Sequence, residues 1–455
     1  MDFRTLFEPE TMAVVGVSLK NDRHPANVIY NKNNLRYPVK VYGVNPRGGT
    51  YYKDRIYKSL SEIPEKIDLV IVAVKAEHVP AVLRECIDCW VGGAAVISGG
   101  FAEAGNSRLR DEFLEIAGEA DFPIIGPNCL GIYSPTAVDS FFLPSERMVR
   151  PEQGNVAIVS QSGGILVDQM VKFTGQGVGL SRAISIGNKA VVNELDLIQF
   201  FARDDLTDVI SFYIEGFGPG EGREFIKAAA KCPKPVITMK AGKSSAGTRA
   251  VSSHTASLAG DYRIFSSVMK QYGLVEARNE HEMISFCESL SCYTRPIGGN
   301  IGIVTASGGH GAVAVDTCEQ SVLSVPTLPE KLQEEIREKL TPGIRGIASL
   351  SNPLDLTGSA RDDDFVVAAS RLSGCDEIDC ILVLLLPYLP EVTSDVGARL
   401  SQLYHEEGKP IIAYVPHVEK YRMIIEGFQL NNVPVAHSIE GAVLMAEAMK
   451  RCTPW

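Results

Sequence analysis

A single histidine, His254, ends a segment too polar and too rich in small residues to pack into a core. The segment follows a β-branched run at residues 235–239. Its small residues are Gly242, Ser244, Ser245, Gly247, Ser252 and Ser253. This composition is typical of a mobile, solvent-facing loop. No Cys, Asp or Glu stands at metal-ligand spacing, so no metal site is predicted. The pattern favours a nucleophile or a proton carrier, with an inert surface histidine as the alternative.

Two other segments place residues that could bind phosphate or assist catalysis at the ends of predicted strands. A predicted strand at 155–159 runs into a turn of small residues at 160–164 and then a helix over 165–173. The free amides of Ser162, Gly163 and Gly164, together with the helix dipole, favour a phosphate group. A second strand, 209–215, brings Glu215 to the same carboxyl edge, where a carboxylate can orient an imidazole. A helix cap or a solvated loop charge is the alternative for Glu215.

Two familiar catalytic motifs are excluded by single residues. Segment 242–244 ends like a P-loop, but the position of the first glycine is Ile237, inside a predicted strand. Ser162 resembles the nucleophile of a serine hydrolase, but the residue two positions earlier is Ser160 instead of glycine. The remaining set of histidine, carboxylate and anion-binding turns predicts phosphoryl transfer through phosphohistidine.

The N-terminal part of the chain alternates strands with amphipathic helices, which predicts a doubly wound parallel sheet. The strands are predicted at 13–17, 41–44, 69–74, 94–98 and 123–125. The first turn has one glycine, Gly16, where a dinucleotide fingerprint has three, and the second strand ends without an acidic residue. Nicotinamide cofactors are therefore disfavoured.

Basic and amide side chains follow these strands instead, and they suit the extra phosphate of a nucleotide-like ligand. They are Lys20, Arg23, Asn45, Arg47 and Lys75. Coenzyme A fits this description. The alternative is a Rossmann-like domain with scattered surface charges and no ligand.

A repeat organises the rest of the chain. Segment 154–164 recurs as segment 299–309, and each copy reads as strand, glycine turn and helix. The second copy predicts another anion site at Gly308 and Gly309, but nothing matches the His254 segment. Strands at 380–386 and 410–415 continue this unit. His310 and His417 are interpreted as structural or substrate-adjacent, because neither lies on a loop of small residues.

The predicted fold class is α/β, with an N-terminal Rossmann-like domain followed by two flavodoxin-like domains. The predicted domains are 1–128, 129–295 and 296–455. Residues 132–153 are expected to be irregular, with 155–159 as the first strand of the second domain. A net charge of −11 disfavours nucleic acid and anionic membranes as partners. The longest apolar run, 381–386, is too short to span a bilayer, so a soluble cytoplasmic protein is expected.

Together the motifs resemble one family over nearly the whole chain: the α subunits of ADP-forming acetyl-CoA (acyl-CoA) synthetases, relatives of succinyl-CoA synthetase. The matching stretches are 13–18, 44–46, 125–131, 160–164, 185–189, 213–216, 240–242 and 252–260. Segment 305–311 departs from the family, since it reads Thr-Ala-Ser-Gly-Gly-His-Gly where relatives commonly have Asn-Ala-Gly-Gly-Pro-Gly.

The resemblance implies a reversible reaction: acyl-CoA, ADP and phosphate give a free acid, ATP and CoA. Phosphate would displace CoA to form an acyl phosphate, and His254 would carry the phosphoryl group to ADP. Glu215 would steady His254, and Ser162, Gly163 and Gly164 would hold the phosphoryl group. The implied CoA-binding residues are Gly16, Val17, Ser18, Lys20, Asn45, Pro46, Arg47, Val74, Lys75 and Asn128.

The resemblance also implies a partner. Such enzymes phosphorylate ADP with an ATP-grasp domain, so a separate β subunit in an α₂β₂ assembly is expected, with ADP or ATP and Mg²⁺ bound mainly there. The substrate would be a small carboxylic acid or its CoA thioester. The alternative function is a CoA-binding regulatory or scaffold module without ligase turnover.

Overall fold

The computed structural model describes residues 2–254 and 260–452, apart from the side chains of residues 252–254. The chain divides into two compact units, residues 1–278 and 279–455. The first unit contains two sheets and the second contains one. The division into domains 1–128, 129–295 and 296–455 stays a prediction.

Most strands of the first sheet are short, apolar and largely buried, as parallel strands covered on both faces require, whereas the hairpin at one edge is largely exposed. Its strand order is β3-β4-β2-β1-β5-β6-β7, and the pairs are parallel except β3 with β4. The strands are β1 (Thr11–Val15), β2 (Lys40–Val44), β3 (Gly49–Tyr51), β4 (Asp54–Tyr57), β5 (Leu69–Val72), β6 (Ala94–Val96) and β7 (Ile124–Ile125). The helices are α1 (Arg4–Phe7), α2 (Pro25–Arg36), α3 (Val79–Asp88) and α4 (Ser107–Ala117). The predicted doubly wound sheet is confirmed, and the β3–β4 hairpin is an addition to it.

The second sheet has the order β14-β13-β12-β10-β11-β8-β9, and its pairs are parallel except β11 with β8 and β8 with β9. Its strands are β8 (Gly131–Ser134), β9 (Val138–Asp139), β10 (Gln153–Ser160), β11 (Leu180–Ser185), β12 (Val209–Ile214), β13 (Val236–Lys240) and β14 (Val275–Ala277). Its helices are α5 (Gly163–Gly175), α6 (Glu194–Phe201), α7 (Glu221–Ala230), α8 (Ser245–His254) and α9 (Tyr262–Gln271). One hydrophobic cluster contains residues of both sheets, Val14 and Val159 among them.

The expectation that residues 132–153 are irregular is wrong for β8 and β9. Ile132 and Tyr133 pair with Ile184 and Ala183 of β11. β8 therefore belongs to the second sheet, although it precedes residues 155–159, which were predicted to form the first strand of that domain. The four residues of β8 are all buried and carry no alternating pattern. Their strand conformation depends on a pairing partner about fifty positions later in the chain, which local sequence does not reveal.

The interpretation of residues 242–253 as a loop is wrong from Ser245 onward, because α8 begins there. The Ser244 hydroxyl accepts a hydrogen bond from Gly247 N–H at 3.1 Å, and the Ser244 carbonyl accepts one from Thr248 N–H at 2.8 Å. This N-terminal capping outweighs the low helix propensity of the glycine and serines. The available sequence signal was Ser244 itself, a preferred capping residue followed by Ala246 and Arg249, which favour helix.

A buried ion cluster joins α2 of the first sheet to β9 of the second. Lys32 Nζ lies 2.8 Å from Asp139 Oδ1, and Arg150 Nε lies 2.5 Å from Asp139 Oδ2. Asn33 Oδ1 accepts a hydrogen bond from Asp139 N–H at 2.9 Å, and Asn33 Nδ2 donates one to the Asp139 carbonyl at 2.7 Å. Burial lowers the pKa of the Lys32 amine to about 8, although Asp139 attracts its proton. Two cations and one carboxylate therefore hold the two sheets of this unit together.

The second unit has a parallel sheet with the order β16-β15-β17-β18-β19. Its strands are β15 (Ile301–Thr305), β16 (Leu354–Asp355), β17 (Cys380–Leu384), β18 (Ile411–Tyr414) and β19 (Val435–Ala436). Its helices are α10 (Glu280–Cys292), α11 (Gly308–Glu319), α12 (Glu330–Lys339), α13 (Asp362–Ser373), α14 (Val396–Glu407), α15 (Arg422–Gln429) and α16 (Ile439–Arg451). Within residues 2–254 and 260–452, no helix combines the length and the apolar character needed to cross a membrane.

The predicted repeat has the same local geometry in both copies. β10 leads into α5 and β15 leads into α11, and each helix begins at the first glycine of its pair. The Ser160 hydroxyl accepts a hydrogen bond from Ser162 N–H at 3.1 Å, and the Thr305 hydroxyl accepts the equivalent bond from Ser307 N–H at 3.2 Å. A hydroxyl at the end of each strand therefore shapes the turn that opens each helix.

Candidate active site

The loops after β1, β2 and β5 meet at one edge of the first sheet. Asn45 Nδ2 donates a hydrogen bond to the Val17 carbonyl at 2.9 Å, which ties the loop after β2 to the loop after β1. Asn27 of α2 makes two hydrogen bonds with Ser18. Its Oδ1 accepts from Ser18 N–H at 2.7 Å, and its Nδ2 donates to the Ser18 carbonyl at 2.8 Å. The loops that carry the residues predicted to bind CoA at positions 16–18, 20, 45–47, 74 and 75 therefore lie at one edge of the sheet. Asn128 follows β7, where its N–H donates to the Ser98 carbonyl at 2.9 Å.

Position 16 requires glycine for a structural reason other than the binding of a dinucleotide. Its φ is +112°, and a Cβ atom at this position would lie 2.3 Å from the Ala73 carbonyl oxygen and 3.3 Å from Val74 Cγ1. Only glycine allows the loop after β1 to approach the loop after β5 this closely. The chain reverses its winding direction between β1 and β5, which is where such sheets bind ligands.

A crevice of about 360 Å³ opens at this switch point. Val74 and Lys75 line it, as do Ser98, Phe142 and His24, the residue that caps α2. His24 Nδ1 accepts a hydrogen bond from Ala26 N–H at 3.3 Å, and burial lowers the pKa of the imidazole. The crevice combines an apolar wall with one cation, Lys75. The binding of CoA by these residues stays a prediction.

The turn between β10 and α5 has the geometry of an anion site. Ser162 is the N-cap of α5, and its hydroxyl accepts a hydrogen bond from Ile165 N–H at 3.4 Å. A Cβ at Gly163 would lie 2.9 Å from Leu130 Cγ, whereas a Cβ at Gly164 would meet nothing closer than 4.0 Å. Gly163 therefore packs against the neighbouring turn, while Gly164 faces open space. The first-turn amides have no partner inside the helix and are suited to phosphate oxygens.

Glu215 directly follows β12, next to β10 in the sheet, and it is only 6% exposed. The Gln161 side chain determines where its backbone lies. Gln161 Oε1 accepts hydrogen bonds from Glu215 N–H at 2.5 Å and Gly216 N–H at 3.0 Å, and Gln161 Nε2 donates to the Gly216 carbonyl at 2.8 Å. One amide therefore links the anion-binding turn to the carboxylate-bearing strand end.

A lysine supports the same strand end from β13. Lys240 Nζ donates to the carbonyls of Glu215 and Ala241, both at 2.6 Å, and is 3% exposed. Burial lowers the pKa of the Lys240 amine to about 8. The attraction of Glu215 opposes this shift, and the positive charges of Lys189 and Lys243 add to it.

A second buried network lies beside Gln161. Lys189 Nζ contacts Glu194 Oε2 at 2.9 Å, Glu221 Oε2 at 3.2 Å and the Gly216 carbonyl at 2.9 Å. Gln161 Nε2 also donates to Glu194. Burial raises the pKa of the Glu194 carboxyl group, and the neighbouring Lys189 opposes that shift. Gly216 is therefore held from both sides by charged or amide groups.

His254 is the last residue of α8, the helix that follows β13. Its side chain lies outside the described residues, so the interaction expected between His254 and Glu215 stays a prediction. The carboxyl ends of β10, β12 and β13 are adjacent in the sheet, and they carry the α5 turn, Glu215 and α8 in that order. The structure thus brings the supporting elements of the predicted phosphoryl-transfer site to one edge.

The second predicted anion site, at Gly308 and Gly309, has a different environment. A Cβ at Gly308 would lie 3.1 Å from Asp355 Oδ2, and a carboxylate at that place opposes an anion. His310 Nδ1 lies 3.1 Å from the Ser307 hydroxyl in the first turn of α11. Phosphate binding at this turn stays a prediction. Within the described ranges, no group of three or more His, Cys, Asp or Glu side chains is arranged to hold a metal ion.

His417 lies in a histidine pair near the carboxyl edge of the third sheet. Its ring stacks on His437 with centroids 3.9 Å apart and planes 8° apart. The pKa of His437 is lowered to about 4, chiefly by burial and in smaller part by the proximity of His417 and His281. Two stacked rings cannot both be charged without repulsion, so this contact requires at least one neutral imidazole. The packing supports a structural role for His417.

Sequence reasoning missed the residues that hold the site together: Asn27, Gln161, Lys189, Glu194 and Lys240. Each is a polar residue within or beside a strand–turn–helix motif, and a buried polar side chain requires a partner. The sequence does not reveal that these side chains are buried, or which groups they bond. Gln161, Lys189 and Lys240 lie in stretches that match the family, which was the available signal for them.

The fold and the two assembled edges define a class: CoA ligases of the succinyl-CoA synthetase type. Residues 10–135 match the family described as a CoA binding domain, and residues 153–290 match the succinyl-CoA ligase like flavodoxin domain. An ADP-forming acetate–CoA ligase of Archaeoglobus fulgidus is 38% identical over 84% of this chain, which spans 54% of that relative's length.

Two full-length matches make the assignment more specific. The α subunit of an ADP-forming acetate–CoA ligase of Pyrococcus furiosus is 31% identical, with 100% of this chain and 98% of the relative aligned. The solved structure of a Candidatus Korarchaeum cryptofilum dinucleotide-forming acetyl-coenzyme A synthetase, in complex with phosphate and ADP, has a TM-score of 0.89 and 30% identity. That match covers 99% of this chain and 97% of the other. The chain therefore belongs to the family of ADP-forming acetate–CoA ligases, and the resemblance seen in the motifs is confirmed.

Proposed function

We propose that this chain is the α subunit of an ADP-forming acyl-CoA synthetase that works through phosphohistidine at His254. It interconverts acyl-CoA, ADP and phosphate with a carboxylic acid, ATP and CoA. The observation that carries the proposal is the adjacency of β10, β12 and β13, whose ends present the α5 turn, Glu215 and the helix ending at His254.

The chemistry divides into three balanced transfers. Phosphate oxygen attacks the thioester carbonyl, the C–S bond breaks, and CoA leaves as its thiolate. A His254 ring nitrogen then attacks the phosphorus of the acyl phosphate, and the carboxylate leaves as the P–O bond breaks. Finally a terminal oxygen of ADP attacks the phosphohistidine and releases neutral imidazole. Glu215 steadies the imidazole, and the turn at Ser162, Gly163 and Gly164 holds the phosphoryl oxygens through the amides of Gly163 and Gly164, since the Ser162 amide already donates to the Ser160 hydroxyl.

CoA binds in this proposal along the crevice between β1 and β5. Lys75 and the rim residues Lys20 and Arg47 neutralise its phosphates, and Val74 lies against the apolar part of the ligand. The close approach of Gly16 to Ala73 keeps the crevice narrow. The choice of CoA over a nicotinamide nucleotide is supported by the match of residues 10–135 to a CoA binding domain.

An ATP-grasp β subunit supplies the nucleotide site, with ADP or ATP and Mg²⁺ bound mainly there, in an α₂β₂ assembly. The full-length alignment with a protein named as an α subunit supports a partner of this kind. A CoA-binding scaffold without turnover is disfavoured, because the matched relatives are ligases and His254 with Glu215 would have no use in a scaffold.

The decisive experiment follows label from γ-labelled ATP into the protein in the presence of the β subunit. Peptide mapping should place acid-labile phosphate on His254 alone. His254→Ala should abolish both labelling and net synthesis, because a covalent carrier has no substitute, while CoA binding persists. Glu215→Gln should slow labelling without removing it. Label on another residue, or undiminished turnover in His254→Ala, would refute the proposal.

A further inference from the structure

The β3–β4 hairpin is bonded to the loop between β1 and α2, one of the loops predicted to bind CoA. The Tyr51 hydroxyl donates a hydrogen bond to Asp22 Oδ1 at 3.0 Å, and the Tyr52 hydroxyl donates one to Asp22 Oδ2 at 2.9 Å. Both oxygens of one carboxylate are therefore held by adjacent residues of the hairpin. Asp22 lies between Lys20 and Arg23 in the sequence, so the hairpin holds this loop close to two cations predicted to suit a phosphate.

The hairpin is itself anchored to α2, so it is a fixed support for the loop. Tyr30 of α2 donates a hydrogen bond to Asp54 Oδ2 at 2.9 Å, and Asn31 Nδ2 of the same helix donates one to the Tyr51 hydroxyl at 2.9 Å. The Tyr30 and Tyr51 rings also meet edge to face, with centroids 6.0 Å apart. Tyr51 is only 4% exposed. Asp22 is therefore tied to the helix through the hydroxyl of a buried residue.

Tyr52 has a backbone conformation that tyrosine seldom adopts. It is the first of the two residues that turn the hairpin, and its φ is +51°. Glycine or asparagine usually takes this place in a two-residue hairpin turn, because a bulky side chain is strained at positive φ. The side chain is 73% exposed, so burial does not explain a tyrosine here. The hydrogen bond to Asp22 does, and backbone strain of this kind tends to persist where a side chain has a function.

Short side chains within the loop shape the backbone on either side of Asp22. The Ser18 hydroxyl accepts hydrogen bonds from Lys20 N–H at 3.3 Å and Asn21 N–H at 3.1 Å. Asn21 Oδ1 accepts another from Arg23 N–H at 3.1 Å. The Lys20 and Arg23 side chains are exposed, whereas the carboxylate between them in the sequence is bonded to the two tyrosine hydroxyls. This arrangement leaves the positive charge of the loop to an anionic ligand.

Resting on the proposed function, we propose that Tyr51 and Tyr52 are positioning residues for CoA that act through Asp22. Their hydroxyls fix the middle of the loop, so that Lys20 and Arg23 meet the phosphate on the ribose of CoA. They also keep the Asp22 carboxylate bonded, which prevents it from pairing with those cations or repelling the ligand. The hairpin that extends the doubly wound sheet is thus a determinant of specificity for the phosphorylated form of the ligand.

The test measures the affinities of CoA and of dephospho-CoA, which lacks the ribose phosphate, by calorimetry with the complex of full-length chain and β subunit. Wild type should bind CoA about tenfold or more tightly, since the two ligands differ by a charge-assisted phosphate contact. The double variant Tyr51→Phe, Tyr52→Phe should lower this preference to about twofold or less. Tyr57→Phe is the matched control, because it removes a hydroxyl from the same hairpin but its ring packs against Tyr42. It should keep the wild-type preference.

A second variant, Asp22→Ala, changes an exposed side chain and so guards against misfolding of the double variant. If charge alone mattered, removal of a carboxylate near a phosphate would strengthen binding of CoA. A loop released from the hairpin should instead bind CoA more weakly, with the affinity for dephospho-CoA nearly unchanged.

Tighter binding of CoA by Asp22→Ala would overturn the positioning role while leaving the ligase function standing. So would a preference for CoA that is missing in wild type or unchanged in the double phenylalanine variant. Failure of the wild-type complex to bind either ligand would instead overturn the proposed CoA site and the inference that rests on it.

Discussion

The Gln161 side chain fixes the position of the Glu215 backbone. Its Oε1 atom accepts hydrogen bonds from the N–H groups of Glu215 at 2.5 Å and Gly216 at 3.0 Å. Gln161 also immediately precedes Ser162, the cap of α5. A single amide therefore sets the spacing between the carboxylate-bearing strand end and the anion-binding turn. Geometry at this site depends on a residue that takes no part in bond-making.

Replacing this amide should therefore slow phosphoryl transfer. Gln161→Ala releases the backbone of Glu215 and leaves two buried N–H groups unpaired. We expect the rate of acid-labile phosphorylation from γ-labelled ATP to fall about 10²-fold, the usual scale for a misplacement near 1 Å. CoA affinity, measured by calorimetry, should not change, because the crevice lies at the first sheet. Gln176→Ala, at the other end of α5, is the matched control and should behave as wild type. Equal rates in the two variants would show that Gln161 does not position the site.

Lys240 should make the rate of the reaction decline at alkaline pH. Burial lowers the pKa of its amine to about 8, so the amine is protonated below that pH and loses its proton above it. The protonated amine donates charge-assisted hydrogen bonds to the carbonyls of Glu215 and Ala241, and both bonds weaken when the charge is lost. Activity normalised to its own plateau should decline with an apparent pKa near 8. Lys240→Arg, which stays protonated, should shift the limb to higher pH, whereas Lys243→Arg should not. Superimposable profiles for wild type and Lys240→Arg would rule out this assignment.

CoA affinity should depend on Lys75, which lines the crevice after β5. Lys75→Gln removes a cation from the proposed phosphate path, and a charge-assisted hydrogen bond contributes about 1.5–3 kcal/mol. We therefore expect CoA to bind about tenfold or more weakly, as measured by calorimetry at constant ionic strength. Lys53→Gln, on the exposed β3–β4 turn, is the charge-matched control. Similar losses in both variants would point to the net charge of the protein instead of a specific contact.

The Asp139 ion cluster should be essential for stability. Asp139→Asn leaves Lys32 and Arg150 buried without their counter-ion, although the volume is kept. Breaking a buried pair in this way costs about 3–5 kcal/mol of unfolding free energy. The first transition in urea unfolding at pH 7 should therefore move to lower denaturant. Asp111→Asn, which disrupts the surface pair with Arg110, should leave the transition almost unchanged. A stability of Asp139→Asn equal to wild type would mean that the lysine sheds its proton at little cost.

The strand–turn–helix units were predictable because their signals are local. An apolar run followed by serine and glycine determines where β10 ends and α5 begins, and the same holds for β15 and α11. Gly16 was recognisable as a special position, although its reason, close contact with the Ala73 carbonyl, was not. The prediction for His254 came from the small, polar residues before it, from the neighbouring anion-binding turns and Glu215, and then from the motif resemblance; its chemical role stays a prediction.

The sequence by itself determined the α/β class, the order of the strand-and-turn motifs and the polar residues at the carboxyl edges, since each follows from neighbouring residues. Tertiary structure alone decided that β8 joins β11 and that Gln161 and Lys240 hold Glu215. These contacts join residues about 25 to 55 positions apart. Whether a buried polar group is satisfied depends on which distant group comes within hydrogen-bonding distance, and only the packing of both sheets settles that.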